Sequence, residues 1–317
     1  MEVAIEFISQ GFPIRNVLSH CGLSKSSFYY KPSDGKAGRK PYATIYDSKG
    51  REVTESAIVG RIKLLFAKPF VDYGAYKTFR HLVDKEKYRI SKHYVYKLMK
   101  INNLLRGSNP ISSKKSNRNR VKDLIPKVET EFSFFEFDIK YVWVSGQRKS
   151  MQVLTILDIF SRFNIGHYMA YNIKKEDVIK LFEKVIAEFG LPKNFIVRND
   201  NGSQFIASVV QDFLKNNGIT QEFTKPGTPQ QNAHIESYHS IMERTVCQRF
   251  EFENIKIAKR TIDEFREFYN FERIHGGIGF ISPYEYLLQK GVDLKSTPFM
   301  KSARGGKSNL VNYKKVS

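Results

Sequence analysis

Cysteine is scarce. The chain has two in 317 residues, Cys21 and Cys247, too few for a disulfide framework or a four-ligand zinc site. That usage points to a reducing, cytoplasmic setting. No apolar run approaches the ~20 residues that cross a bilayer. The opening MEVAIEFISQ lacks a basic stretch leading into an apolar one, so no secretory signal is expected. No internal repeat is visible, and acids are missing altogether from residues 300–317. What is present is ample apolar material, 41% hydrophobic and 14% aromatic, which excludes a disordered chain or a small stapled scaffold. The length predicts about two domains, with room for a small third.

The charge is lopsided as well as large. Lys and Arg number 52 against 32 Asp and Glu, a net of +20. Residues 1–130 carry 26 basic and 11 acidic side chains, residues 131–299 carry 21 of each, and the tail from 300 carries five basic side chains. A neutral body between basic arms suits a polyanion, and points to nucleic acid as the partner.

Residues 1–30 read as short helices. One ends at Cys21, Gly22 supplies a turn, and Ser24 caps the next, a helix-turn-helix pattern exposing Lys25 and Ser26; an ordinary helical hairpin would share it. Residues 31–54 are rich in Gly, Pro and Lys and read as a linker. A second helical DNA-binding domain is expected over 55–106. Its last helix, capped by Ser91, buries Val95, Leu98 and Met99 and offers Lys92, His93 and Lys97 on its polar face. Residues 107–130 form a basic linker whose Lys114, Lys115, Arg118 and Arg120 would follow phosphates.

From 131 the pattern turns aromatic and β-branched. FSFFEFDIKYVWV, MQVLTILDIF and FNIGHYMAY read as three antiparallel strands, with Gly146 at the first turn. A helix over 175–189, a strand in NFIVRND, a helix closed by Gly218 and a strand in ITQEFT follow. The result is an α/β fold, a mixed sheet with helices on both faces.

Three acids occupy positions with no obvious structural duty. Asp138 interrupts the apolar first strand, Asp200 ends a strand, and Glu236 lies on a helix marked by Pro229 and by Gln231 at the capping-box position after Thr228. Ile235, Tyr238, Ile241 and Met242 make that helix's buried stripe, with Glu236, His239, Ser240 and Glu243 on the neighbouring face. Three converging carboxylates need cations, and Mg²⁺ is the hard ion that takes carboxylates and phosphate oxygens together. A pair of such ions about 4 Å apart would serve phosphodiester chemistry. Asp158, in LDIFSRF, is expected instead to pair with Arg162.

FDIKYVWV, RNDNGSQF, KPGTPQQNAHIESYHS and YNFERIHGGIGFISPYEY resemble the core of bacterial insertion-sequence transposases of the retroviral-integrase type. Thirty-five residues separate Asp200 from Glu236, the spacing of that group. The amino-terminal half, LSHCGLSKSSFYY and the stretch from VDYGAYKTF to INNLL, resembles the OrfB protein of the IS-three family. This resemblance implies a ribonuclease-H-like catalytic core over 131–250, a carboxy-terminal helical segment over 251–290 packing on it, and a basic tail over 291–317. It implies that Asp138, Asp200 and Glu236 are the catalytic, metal-binding triad, using two Mg²⁺ ions or Mn²⁺ in their place. Asn201 and Gln204 would shape the loop beside Asp200, with Gly202 as its tight-turn residue, and Asn232 would approach DNA, as would His239. Arg273 and His275 are read as structural or DNA-contacting.

The resemblance also carries a departure: the family often has Lys or Arg seven residues after the glutamate, where this chain has Glu243 followed by Arg244. A shift of the DNA contact to Arg244 is one consequence. The function implied is cutting and joining at element ends, on double-stranded DNA with terminal inverted repeats and a target site. A homo-multimer is expected, with the upstream-frame OrfA protein as a further partner and a nucleoid-associated location. The competing reading is a DNA-binding regulator with an inactive core.

Overall fold

The computed structural model describes residues 1–30, 44–106, 127–225 and 229–294. Lys114, Lys115, Arg118, Arg120, Thr228 and the basic tail from 295 lie outside the described residues. The chain divides into two compact units, Met1–Thr44 and Ile45–Ser317.

The first unit holds α1 (Glu2–Ser9), α2 (Ile14–His20) and α3 (Lys25–Tyr29). Ala4, Val17 and Leu18 are its small core. Gly22 turns the chain at φ +65°, a conformation glycine adopts without cost. Ser24 Oγ then accepts from the Ser27 amide at 3.0 Å, starting α3 where the sequence places a cap.

The second unit opens inside the stretch read as a linker. β1 (Ile45–Tyr46) and β2 (Glu52–Val53) form an antiparallel hairpin. Asp47 closes its turn by accepting from the Lys49 and Arg51 amides at 2.8 and 2.9 Å, and Ile45 buries against Ile58 and Ile62. The polar composition of 44–54 therefore reflects a tight turn. α4 (Glu55–Ala67), α5 (Ala75–Arg80, continued as a π turn to Lys85) and α6 (Lys92–Ile101) complete a helical cluster around Leu82, Val95 and Met99.

The sheet follows: β3 (Phe134–Val144), β4 (Lys149–Asp158), β5 (Asn164–Ala170), α7 (Lys175–Phe189), β6 (Ile196–Asn199), α8 (Ser208–Asn216) and β7 (Thr220–Phe223). α9 (Ala233–Met242), α10 (Ile255–Glu267) and α11 (Pro283–Gln289) come last. Strand order is β5-β4-β3-β6-β7, with the first three antiparallel and β6 and β7 parallel to β3. This is the ribonuclease-H-like mixed sheet. Alternation along β3 divides its residues between two cores. Phe135 and Phe137 face the α7 side, where Phe137 meets the Phe182 and Phe205 rings edge-on at 5.2 and 4.7 Å. Val142 and Val144 face α9 and α10, among Ile235, Tyr238, Met242 and Phe265.

Two local expectations change. At the β3–β4 turn the left-handed residue is Arg148, at φ +47°, not Gly146. Gly146 is needed for closeness instead, since a Cβ there would stand 2.2 Å from the Glu253 carbonyl oxygen. Asp158 is fully buried and gives its carboxylate to Ser161 and to the Phe132 amide, while Arg162 donates to the Ile159 carbonyl. Burial pushes Asp158 up to about 6, and these local donors satisfy it without a partner cation.

The segment between α4 and α5 is sewn into the core of the sheet. Leu65, Phe70, Val71 and Tyr73 share a cluster with β3, β4, α9 and α10. Beside them Asp72 is ion-paired with Arg273, the two side chains 1% and 2% exposed. Arg273 is thus structural, and His275 is buried with its amide donating to Ile281. Burial works to raise the Asp72 pKa, but Arg273, then Arg106 and Arg244, outweigh it and hold the carboxyl below its ordinary value. A depressed carboxyl stabilises the fold above its unfolded pKa and loses that contribution as pH falls through the folded one. We expect Asp72→Ala to cost about 3–5 kcal/mol by urea denaturation, because it strands a buried guanidinium. The difference from wild type should narrow as the pH falls below the ordinary carboxylate range.

Candidate active site

The first acid is placed by strand alternation. Asp138 follows Glu136 by two residues on β3, so both face α9. Glu136 is 1% exposed, and its Oε2 accepts from the Ile235 amide at 2.7 Å. The carboxylate meets an amide at the start of α9, where backbone donors lack intrahelical partners. Burial pushes Glu136 up to about 7, against the pull of that amide and of Arg198. Glu236 is the next residue along α9. Its pKa is raised by burial and then by the like charge of Asp138, so the two carboxylates share one field across the strand–helix junction.

Asp200 comes from the adjacent strand end. Glu136 lies in register with Arg198 on parallel β6, which puts the backbones of Asp138 and Asp200, each two residues on, at one level of the sheet. The Asp200 carboxylate closes a turn, Oδ1 accepting from the Gly202 amide at 2.9 Å. Gly202 has no left-handed φ. It is there for space, because a Cβ would stand 3.0–3.2 Å from Gln204, Asp200 and Phe205. Among the described residues no three His, Cys, Asp or Glu side chains are gathered tightly enough to hold one ion together. Asp138 and Glu236 are near enough to interact electrostatically, whereas the Asp200 carboxylate is turned to its own loop.

His239 is buried against Asp138, its Nδ1 3.4 Å from Oδ2, and its Nε2 has no hydrogen-bond partner. Together with Lys140, Glu236, Ser240, Glu243 and Arg244 it lines a cleft of about 450 Å³. Glu243 pairs with Lys140 at 2.7 Å, so β3 supplies a cation beside the position where the resemblance expects one on the helix. The helix changes to a π turn at Glu243–Cys247, which redirects the faces that follow. Arg244 reaches Asp72 at 3.3 Å.

The remaining predicted contacts are dispersed. Asn201 Nδ2 donates to the Thr224 carbonyl, and Gln204 lines a second hollow with Tyr141 and Gln152. Asn232 is buried just before α9, its Oδ1 without a partner. The capping box read between Thr228 and Gln231 rests on Thr228, outside the described residues; Gln231 Oε1 accepts from the Lys225 amide at 2.6 Å, and Glu136 takes the Ile235 amide at the start of α9. Lys92, His93 and Lys97 are exposed on α6, and Lys25 and Ser26 on α3. Sequence reasoning passed over Glu136, although an acid inside FFEF was its signal. It also passed over Lys140, whose role depends on a partner about a hundred residues away.

A family profile described as Integrase core domain matches residues 130–229, and a second of the same description matches 217–283. The central part of this chain is therefore similar to integrase core domains. Relatives include the transposase for insertion sequence element IS904 of Lactococcus lactis subsp. lactis (strain IL1403), 26% identical over 145 residues, covering 45% of this chain and 57% of that protein. InsK, of insertion sequence element IS150 in Escherichia coli (strain K12), is 22% identical over 293 residues, covering 88% of this chain and 95% of that one. Among solved structures, the HTLV-2 integrase catalytic core domain in complex with magnesium is 13% identical, covers 48% of this chain and 94% of that chain, and has a TM-score of 0.38. The chain spans about half the length of several of the curated relatives it matches.

Within this region, Glu136→Ala removes the acceptor of a buried amide. It is expected to cost about 1–3 kcal/mol by urea denaturation and to speed hydrogen exchange at the Ile235 amide, while exchange in β4 changes little.

Proposed function

We propose that the chain is a DNA transposase, a polynucleotidyl transferase that cuts and joins strands at the ends of an insertion sequence. The observation that carries this is the placement of the acids in a region that matches integrase core profiles: Asp138 on β3 lies 3.4 Å from His239 Nδ1 of α9, Glu236 on α9 lines the cleft beside that histidine, and Asp200 directly follows the neighbouring strand. The charge of Asp138 adds to burial in raising the Glu236 pKa; carboxylates so placed fit a divalent cation, and their hard oxygens suit Mg²⁺ or Mn²⁺. Asp138, Glu236 and Asp200 would hold it. Such an ion, when bound, lowers the pKa of an attacking water or 3′-hydroxyl and stabilises the leaving oxygen.

The chain's own residues do the positioning. Glu136 fixes α9 on β3, and His239 steadies Asp138 from the helix side. Lys140, held by Glu243, presents positive charge along the cleft that would receive the strand. In the first step a phosphodiester is hydrolysed and its P–O3′ bond breaks to leave a 3′-hydroxyl. In the second, that hydroxyl attacks another phosphodiester, the new bond replacing the one broken. Duplex DNA with terminal inverted repeats, a target site, a second copy of the chain and the OrfA protein are the partners this reading implies. Exposed Lys25, Lys92 and Lys97 supply charge for duplex binding. Among the described residues no helix is long and apolar enough to cross a membrane.

The test is Asp200→Asn on duplexes carrying the inverted repeats that flank the reading frame. Cutting with Mg²⁺ should fall by roughly several orders of magnitude, since the chemistry rests on cation and geometry, while band-shift affinity is retained. Cutting by the variant at the wild-type rate would overturn the assignment.

A further inference from the structure

Asp72 is surrounded by more positive charge than one carboxylate neutralises. Its Oδ1 takes Arg273, and its Oδ2 lies 3.5 Å from Arg106 and 3.3 Å from Arg244. Three guanidiniums on one carboxylate leave a surplus of two charges. Arg249 adds another: it is half-buried on the same wall, and among the described residues it has no ion-pair partner. The surrounding field is visible at Lys77, where burial and then Arg273 pull the pKa down to about 8 in spite of Asp72. Acid is scarce on the rim, where Lys68 pairs loosely with Glu272 at 3.8 Å, both side chains more than half exposed.

This surplus borders an open cleft of about 440 Å³ between the helical cluster and the core. Phe70 and Phe250 are among its apolar lining, and its charged lining is Lys68, Arg106 and Arg249 against one acid, Asp72. Arg106 already donates to the Asp72 carbonyl at 2.7 Å, yet its side chain remains 45% exposed. Guanidiniums carry five donors each, and one shared carboxylate fills few of them. Planar donors in a partly dry cleft match a phosphate, which can take two N–H bonds at once from one arginine. Arg244 lies on the Glu236 cleft as well as on Asp72, so the basic run continues to the acids.

We infer that this cleft seats a backbone phosphate of bound duplex DNA, with Arg249 and Arg106 as its donors. The nucleic-acid source rests on the function proposed above; the anion site itself rests on charge and geometry alone.

Two measurements test it. In the first, melting of the full chain is followed with increasing inorganic phosphate against chloride at matched ionic strength. Wild type should gain several degrees, Arg249→Gln should lose that gain, and Arg249→Lys should keep part of it. Each variant is compared with its own phosphate-free melting point, so a change in basal stability does not mimic the result. No phosphate-dependent rise in wild type, or an equal rise in Arg249→Gln, overturns the site. In the second, the slope of log affinity against log salt for a short duplex should shrink by about one for Arg249→Gln. An unchanged slope overturns DNA as the source. Asp200→Asn, expected to lose cutting, should keep both responses, so failure of the chemistry and failure of the phosphate site are distinguishable.

Discussion

One hydrogen bond sets the geometry on which the acidic site depends. The buried Glu136 carboxylate accepts the Ile235 amide, tying β3 to the first turn of α9. Asp138 follows Glu136 by two residues on the same face of the strand, and Glu236 follows Ile235 by one. The apolar stripe of Ile235, Tyr238, Ile241 and Met242 supplies most of the drive for α9 to lie on the sheet. Apolar burial has no direction, however, and would tolerate α9 sliding along β3. The carboxylate–amide contact fixes the offset, and with it the like-charge field between Asp138 and Glu236.

A second constraint joins the helical cluster to the core. Asp72 and Arg273 are 201 residues apart in sequence and bury their charges together. With Phe70, which packs on Phe250, Phe265 and Phe268, they bind the α4–α5 connection to α10 and the turn after it. That connection supplies Asp72, which Arg244 reaches from the edge of the Glu236 cleft. One carboxylate therefore both anchors the fold and organises the guanidiniums around it.

The resemblance to insertion-sequence transposases agrees with the profile matches described as Integrase core domain over 130–229 and 217–283. Glu243 stands where a basic residue is usual, and its pairing with Lys140 gives this cleft a cation from the strand in place of one from the helix. Arg244, the alternative considered from sequence, divides its contacts between that cleft and Asp72.

Much was legible in the chain itself, because local pattern decides it. Aromatic and β-branched runs marked the three antiparallel strands, the helix read over 175–189 is α7, and Ser24 and Ser91 marked two caps. The three acids stood out as charges in apolar or strand-end positions. Other features depend on residues distant in sequence and carry no local mark. Glu136 reads as an ordinary interruption until Ile235 arrives 99 residues later, and Arg273 stays open between a structural and a DNA-contacting role until Asp72 pairs with it in the interior. Residues 44–54 read as linker because a tight turn and a flexible segment share one composition. The sequence determined which residues alternate, cap and repel. Only the tertiary structure decided which charges share a field, since Coulomb interactions depend on distance in space and on the water excluded between the partners.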